Sequence, residues 1–532
     1  MQAPTNPQLS EIERVAALAG EPRNVSAAGV TRTAQRIATL ENESPFDPSA
    51  NSRRRLVVVA DNESAARATL AAMRWFKTDA PRNIRDKWNV SAVLLSYASD
   101  ATPAQQLEFP PAKGFFDHPD QPESRYLWRW VAYQAPDLLL QIRGGDVLSR
   151  SSPPAGSLAA AMAGGSEMGT VQAIFGSARE TDGPALLEHA LKDSASARES
   201  EIHATLRARA SRPPLAIARV LAAKYPQSPI VSYIPSVAWA NTLRLADATK
   251  DGALQQKVVN ETRPWLSGAQ PLFGERIALT AVAGTFIYAE LAQRGEQAAR
   301  PLVIQGADEA LKVAAATGYA QHGAGWTDDM FMMSVILSRS GRMPGRERDL
   351  DHLASMLLSY ARRLQREDGV FVHFTDGRIA WGRGNGFAAL GLTEALTALP
   401  SGHQSRTQVL ESYRRQMNGM KAMQAPDGMW RQVVDEPGAY REESVTAMTL
   451  TAMARGIRLG WVDAKTFRPI VDRAWRALAA HITEDGAVVD ICTGTGSQAT
   501  LRQYLDRAAI SGFDDRGGAM ALLAAMEMHE LH

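Results

Sequence analysis

QREDGVFVH (365–373), QAPDGMWRQ (424–432) and ITEDGAVVD (482–490) decide the fold of the larger part of this chain. Each carries an Asp-Gly turn, and the turn aspartates Asp368, Asp427 and Asp485 lie 59 and 58 residues apart, a period of about two helices. A helix runs into every turn: LLSYARRLQ, SYRRQMNGMKAMQ and RAWRALAAHI. After a loop, an almost wholly apolar helix follows: GFAALGLTEALTAL, TAMTLTAMARGI and AMALLAAMEM. A helix apolar on all sides has to be buried on all sides. Alternating amphipathic and apolar helices therefore suit two concentric rings with the apolar set inside. Five or six such pairs fit the length available, which predicts an all-α (α/α)6 barrel, with an open solenoid as the alternative.

Working back toward the N-terminus, the pattern changes. RRRLVVVAD (53–61), SAVLLSYA (91–98) and DLLLQIRGG (137–145) are short apolar runs rich in β-branched residues, and TVQAIFGSA is a fourth strand candidate. The helical patterns ESAARATLAAMRWF (63–76) and YLWRWVAYQ (126–134) alternate with them, which predicts an α/β domain on a mainly parallel sheet. Residues 1–52, with helical patterns in SEIERVAALAG and VTRTAQRIATLE and a Pro-containing polar loop, are expected to form an N-terminal extension. The expected domains are thus 53–228 and 229–532.

Composition limits the function. Lys plus Arg number 58 and Asp plus Glu 57, so nothing in the net charge of +1 points to nucleic acid or an anionic membrane. Apolar runs such as LVVVA (56–60) fall far short of the roughly 18 residues of a spanning helix. A single cysteine, Cys492, excludes an intrachain disulfide and a multi-cysteine zinc site. The ten histidines show no H-E-x-x-H spacing and no G-x-S-x-G is found, so neither a metal nor a cofactor is expected. The start MQAPTNPQLSEIER lacks a basic segment followed by an apolar one, which leaves a cytoplasmic or a periplasmic location open.

The repeat also locates a mouth of the ring. Five residues after each turn aspartate stand His373, Gln432 and Asp490, at equivalent backbone positions. GWTDDMFMMSVILSR (325–339) sets Asp328 and Asp329 at the start of a helix that is otherwise apolar. Neighbours on a helix point about 100° apart, so at most one of the two faces the lumen, and a plain helix cap is the alternative for either. WGRGNGF (381–387) offers a planar cation in Arg383, an amide in Asn385 and a flat face in Trp381, the parts of an acidic-sugar pocket. Trp326 and Trp430 add stacking platforms, or else fill the ring mouth as core.

Taken in order, GWTDDMFM, DGVFVHF, WGRGNGFAALGLTEAL, DGMWRQVVDEPGAYREESVTAM and YLDRAAISGFDDRGG make residues from about 236 to the end resemble the unsaturated glucuronyl and rhamnogalacturonyl hydrolases, glycoside hydrolase families 88 and 105. The resemblance implies removal of a 4,5-unsaturated uronic acid from the non-reducing end of a lyase-made oligosaccharide, by hydration of the C4–C5 double bond. It places the proton-donating acid on Asp328, and substrate contacts on His373, Trp381, Arg383, Asn385, Trp326, Trp430, Gln432 and Glu442. One departure stands out. The aspartate that such proteins carry on the preceding inner helix is missing from PLFGERIALTAVAGTFIYAELAQ (271–293), where Thr280 falls near its place and Glu275 is the nearest acid, the candidate second carboxylate. This departure keeps a non-catalytic acidic-glycan binding protein as the alternative. LVVVAD, FDHPDQPESRYLWRW and APDLLLQIRGG resemble a zinc carboxypeptidase domain whose H-x-x-E is replaced by DNES (61–64). A non-catalytic module is the expectation there, and a zinc amidase or peptidase the alternative.

Overall fold

The computed structural model describes residues 7–32, 34–48, 52–95, 106–111, 122–194, 198–313 and 320–532. The chain forms two compact units: residues 1–211 with 425–428 and 436–440, and residues 212–424 with 429–435 and 441–532.

In the first unit the central strands are continuously apolar because both of their faces are covered. β3 (Arg54–Ala60) buries Leu56 to Ala60 without a break, as a strand inside a layered α/β sheet must. It pairs in parallel with β4 (Trp88–Leu94) and with β5 (Leu138–Gly144), and β5 pairs in parallel with β7 (Gln172–Ala178). Helix Glu63–Thr78, capped by the Asn62 side chain on the Ala65 amide, follows β3. The remaining pairings are antiparallel: β1 (Asn24–Val30) with β2 (Arg36–Glu41), β2 with β4, and β6 (Ser149–Ser151) with β7. The seven-stranded order β1-β2-β4-β3-β5-β7-β6 is therefore mixed, not mainly parallel.

Three expectations change here. The segment 1–52 is no extension, since β1 and β2 are strands of this sheet. VTRTAQRIATLE ends in a strand, not a helix: Ile37 to Glu41 are all buried, and apolar residues three apart in a strand covered on both faces mimic a helical stripe. The unit boundary lies after Ser211, upstream of the expected 228. Residues 116–121 of FDHPDQPESRYLWRW lie outside the described residues.

The second unit is a double ring of helices. The inner positions are taken by α2 (Tyr233–Thr249), α4 (Leu279–Gly284) running on as α5 (Phe286–Gln293), α7 (Thr327–Ser340), α9 (Gly382–Ala398), α11 (Glu443–Arg458) and α13 (Asp515–Leu531). Each packs on the next, and α13 returns to α2, so the ring closes and the open solenoid is set aside. The outer positions hold α1 (Pro214–Lys224), α3 (Gly252–Leu266), α6 (Arg300–Ala310), α8 (Arg348–Leu364), α10 (Arg406–Ala422) and α12 (Ala464–Ala480). The difference in sequence is the difference in burial: α8 buries Leu350, Leu353, Ala354, Leu357, Ala361 and Leu364 along one stripe, whereas α7 buries nearly every residue from Met330 to Ser338. Inner helices approach closely where glycine allows it. A Cβ on Gly391 of α9 would stand 2.7 Å from the Met330 carbonyl oxygen of α7.

All inner helices begin at one mouth and end at the other. The ends are closed by alternating charges: Arg339 reaches Glu290 (2.8 Å) and Glu394 (2.7 Å), Arg455 joins Glu394 (2.7 Å) to Glu527, and Arg244 completes the chain on Glu527 (2.8 Å). These groups line a cavity of about 340 Å³.

Candidate active site

Short extended pieces stitch the starts of the inner helices together. Trp326 pairs with Phe374, Trp381 with Val433 and Trp430 with Glu442, and the amides of Thr327 and Gly382 donate to the carbonyls of His373 (3.0 Å) and Gln432 (2.6 Å). The first two Asp-Gly repeats thus deliver their polar residues against the first turn of an inner helix.

The two adjacent acids divide as helix geometry requires. Asp329 is buried and accepts from the Tyr360 hydroxyl (2.7 Å) and the amides of Gly325 (2.7 Å) and Ala324 (3.3 Å), so it fastens the loop before α7. Burial pushes its carboxyl up to about 6, against the pull of those hydrogen bonds. Asp328 points elsewhere, with a side chain 15% exposed and its Oδ2 3.3 Å from Nε2 of His373. The expectation that at most one of the pair faces the lumen is the arrangement seen, and the outward acid is Asp328.

His373 is buried between aromatic rings, 5.3 Å from Trp326 and 4.5 Å from Trp381 between centroids. Its Nδ1 lies 2.7 Å from the hydroxyl of Tyr504. Gln432, one repeat later, donates from Nε2 to the carbonyl of the same Tyr504 (2.7 Å). Two of the three register positions therefore converge on one tyrosine.

Several residues expected to touch a sugar are consumed by the framework. Asn385 is fully buried; its Oδ1 accepts the Phe371 amide (2.7 Å) and its Nδ2 donates to the carbonyls of Phe371 (2.9 Å) and Trp381 (3.0 Å). Glu442 caps α11, accepting from the Val445 amide (2.7 Å), the Ser444 hydroxyl (2.7 Å) and the Cys492 amide (2.9 Å). Arg383 is 3% exposed; its Nε donates to the Ser444 hydroxyl (2.9 Å), and its Nη atoms meet the carbonyls of Cys492 and Thr493. Trp381 and Trp430 are 1% and 0% exposed, so neither offers a stacking face; they are core, and Trp430 Nε1 donates to the Met420 carbonyl (2.7 Å). Only Trp326 among the three tryptophans keeps part of its surface open. Glu275 is exposed in the loop before α4, and no hydrogen bond or ion pair among the described residues ties it to Asp328.

Other residues complete the mouth. Tyr233, at the start of α2, packs edge-on against Phe387 (5.7 Å). Burial raises its phenol, Asp328 and Asp514 push the same way, and Arg383 and Arg516 oppose them, so these charged groups share its surroundings. Tyr504 is likewise raised by burial, to about 12. Tyr504, Asp514 and Arg516 all lie in YLDRAAISGFDDRGG; no spacing distinguishes Tyr504 there, because its partner His373 is 131 residues away in sequence, whereas Asp514 and Arg516 pair with each other. Among the described residues no three His, Cys, Asp or Glu side chains are grouped to hold a metal ion, and no helix is long and apolar enough to cross a membrane.

The second unit is thus a double helical ring with the partly open acid Asp328 at its mouth. The chain belongs to Glycosyl Hydrolase Family 88, whose profile matches residues 216–532. Among solved structures it is similar to a family 105 glycoside hydrolase of C. acetobutylicum ATCC 824, with a TM-score of 0.53 at 18% identity over 59% of this chain and 99% of that one. Among curated relatives it is similar to the unsaturated rhamnogalacturonyl hydrolase YesR of Bacillus subtilis, 26% identical over 34% of this chain and 52% of that protein. An unsaturated 3S-rhamnoglycuronyl hydrolase of Alteromonas sp. is 30% identical over 21% of this chain and 27% of its own. The chain thus spans a quarter to about half of the length of these relatives.

Proposed function

We propose that this protein hydrolyses oligosaccharides bearing a terminal 4,5-unsaturated uronic acid, by adding water across the C4–C5 double bond. The observation that carries the reading is Asp328: a carboxyl group at the mouth of a closed helical ring, partly open to solvent and 3.3 Å from a buried histidine, while its neighbour Asp329 is locked away. The named activities of the relatives and the family membership support the same chemistry.

In the proposed reaction the protonated Asp328 gives its proton to C4, and positive character develops at C5 and the ring oxygen. The carboxylate left behind takes a proton from a water that adds at C5, which restores the acid. The hemiketal so formed opens and releases the remaining sugar chain. One carboxyl group suffices for both transfers if donor and acceptor act on the same face of the ring, which fits a chain whose sequence has Thr280 near the place of the missing aspartate and whose Glu275 is exposed. His373 Nδ1 shares a hydrogen bond with the Tyr504 hydroxyl, and with Tyr504 as its donor the ring hydrogen would sit on Nε2, the nitrogen 3.3 Å from Asp328. For the N-terminal unit we keep the carboxypeptidase-like, non-catalytic reading. The parallel core β4-β3-β5-β7 supports it, and within DNES Asn62 caps a helix while Asp61 accepts from Gln141 (2.8 Å).

The test is loss of the unsaturated-uronate absorbance band when the protein meets lyase-digested pectin, ulvan or glycosaminoglycan. Turnover by the parent and none by Asp328→Asn is the expected result. Binding without turnover by the parent would replace the hydrolase with the glycan-binding reading.

A further inference from the structure

A site for a uronate needs a cation with free donors, and the sequence motif puts one forward that has none to spare, since Arg383 is spent on Ser444, Cys492 and Thr493. Arg507 is similarly engaged, with Nε on the Thr495 hydroxyl (3.2 Å) and Nη2 on the Gly494 carbonyl. Arg516 differs. Asp514 holds one edge of its guanidinium, Nε to Oδ1 at 3.2 Å and Nη2 to Oδ2 at 3.0 Å, and among the described residues its Nη1 makes no hydrogen bond. A guanidinium has two edges that each fit a carboxylate, so the Nη1–Nη2 edge is left for a second one.

The Nη1 end of that edge lies against a loop that leads to the site. A Cβ on Gly494 would stand 3.4 Å from Arg516 Nη1, and one on Gly496 would stand 3.4 Å from Cη2 of Trp326. The loop 494–496 thus runs from Arg516 to the tryptophan beside His373, whose Nε2 lies 3.3 Å from Asp328, and its two glycines let the loop pass close to both side chains. The Arg516 side chain is 29% exposed, against 10% for its partner Asp514, which braces it from behind. Both Arg516 and Asp328 act electrostatically on Tyr233.

We propose that Arg516 is the specificity-determining cation of this mouth, gripping the carboxylate of the unsaturated uronate through its Nη1–Nη2 edge while Asp514 holds the opposite edge. This assignment rests on the hydrolase reading for its substrate but not for its measurement.

The test uses the full chain and an unsaturated uronyl disaccharide from a lyase digest, beside its methyl ester. Arg516→Gln is expected to raise KM for the free acid at least ten-fold with kcat within about three-fold, to leave the ester unchanged, and to be largely rescued by Arg516→Lys. An unchanged KM in Arg516→Gln, while Asp328→Asn is inactive, overturns the Arg516 assignment and leaves the hydrolase reading standing. Where the parent shows no turnover, calorimetric binding of the same disaccharide decides instead: a ten-fold weaker Kd for Arg516→Gln supports the assignment and an equal Kd overturns it. Asp514→Asn keeps a capping side chain at the start of α13 and removes the competing charge; tighter binding of the free acid supports the assignment, and unchanged binding counts against it.

Discussion

The hydroxyl of Tyr504 lies 2.7 Å from Nδ1 of His373, joining residues 131 positions apart behind the partly open Asp328. Tyr504 has no exposed surface of its own, so its effect on chemistry is exerted through the imidazole. Tyr504→Phe is expected to fold, since the ring still packs, with a loss of about 1–2 kcal/mol for the unpaired Nδ1. Activity should fall about ten-fold in kcat, equivalent to about 1.4 kcal/mol, with KM changed far less. A role confined to packing would leave the pH profile of kcat where it was; a shifted profile is the expected mark of positioning.

Asp328 and Asp329 should respond in opposite ways to the same change. Asp328→Asn removes the proton donor and is expected to lower kcat by about 10²–10⁴-fold while thermal stability holds, because that side chain makes only a 3.5 Å contact with the Thr327 hydroxyl besides His373. Asp329→Asn presents an amide nitrogen to amides that need an acceptor, and should cost about 1–3 kcal/mol of stability. Urea melts read beside turnover separate the two. A stability loss in Asp328→Asn as large as in Asp329→Asn would contradict the division of roles.

Glu443 supplies a pH prediction. It is fully buried, neither carboxyl oxygen has a hydrogen-bond partner, and burial together with Glu442 and Asp514 raises its carboxyl well above the ordinary range, with only Arg383 opposing. A folded-state value above the unfolded one stabilises fully below the unfolded pKa and is lost as pH rises through the folded one. Asp329, raised from 3.8 to about 6, works in the same direction and alone accounts for about 3 kcal/mol lost between pH 4 and 6. Glu443→Gln, a neutral isostere, should therefore melt close to the parent at pH 4 and above it at pH 8. A parent that gains on the variant as pH rises would disprove a neutral Glu443.

How much of this was legible in the sequence depends on which contacts are local. The 59- and 58-residue turn period and the apolar inner helices point directly to the ring; helix geometry separates Asp328 from Asp329, and the family resemblance selects Asp328. What the motif could not disclose was which polar groups were already spoken for. Asn385 reads as a ligand residue because its type suits a sugar, and Glu442 through the family resemblance, yet one braces Phe371 and the other caps α11. Arg516 lies beside Asp514 and Asp515 in a segment whose sequence singles out none of the three. In the N-terminal unit, β2 was mistaken for a helix because burial on both faces of a strand erases the two-residue alternation.

The far end of the ring offers a stability test separate from catalysis. Burial alone would raise Glu394, but the charges of Arg339 and Arg455 outweigh it and hold the carboxyl down at about 2. A depressed carboxyl contributes stability above its unfolded pKa of 4.5 and loses it as pH falls through 2, about 3 kcal/mol in all. Glu394→Gln leaves two buried guanidinium groups facing each other across a neutral amide, which should cost about 3–5 kcal/mol at pH 7. It should also flatten the acid limb of the stability curve between pH 4.5 and 2, where the parent is still losing its ion pairs. Arg339 lies eleven residues along α7 from Asp328, about 16 Å at 1.5 Å per residue, so KM of the folded variant should match the parent. A variant as stable as the parent at pH 7 would mean that the charges at this mouth are exchanged for solvent at no cost, and that the ring is closed by its apolar helices alone.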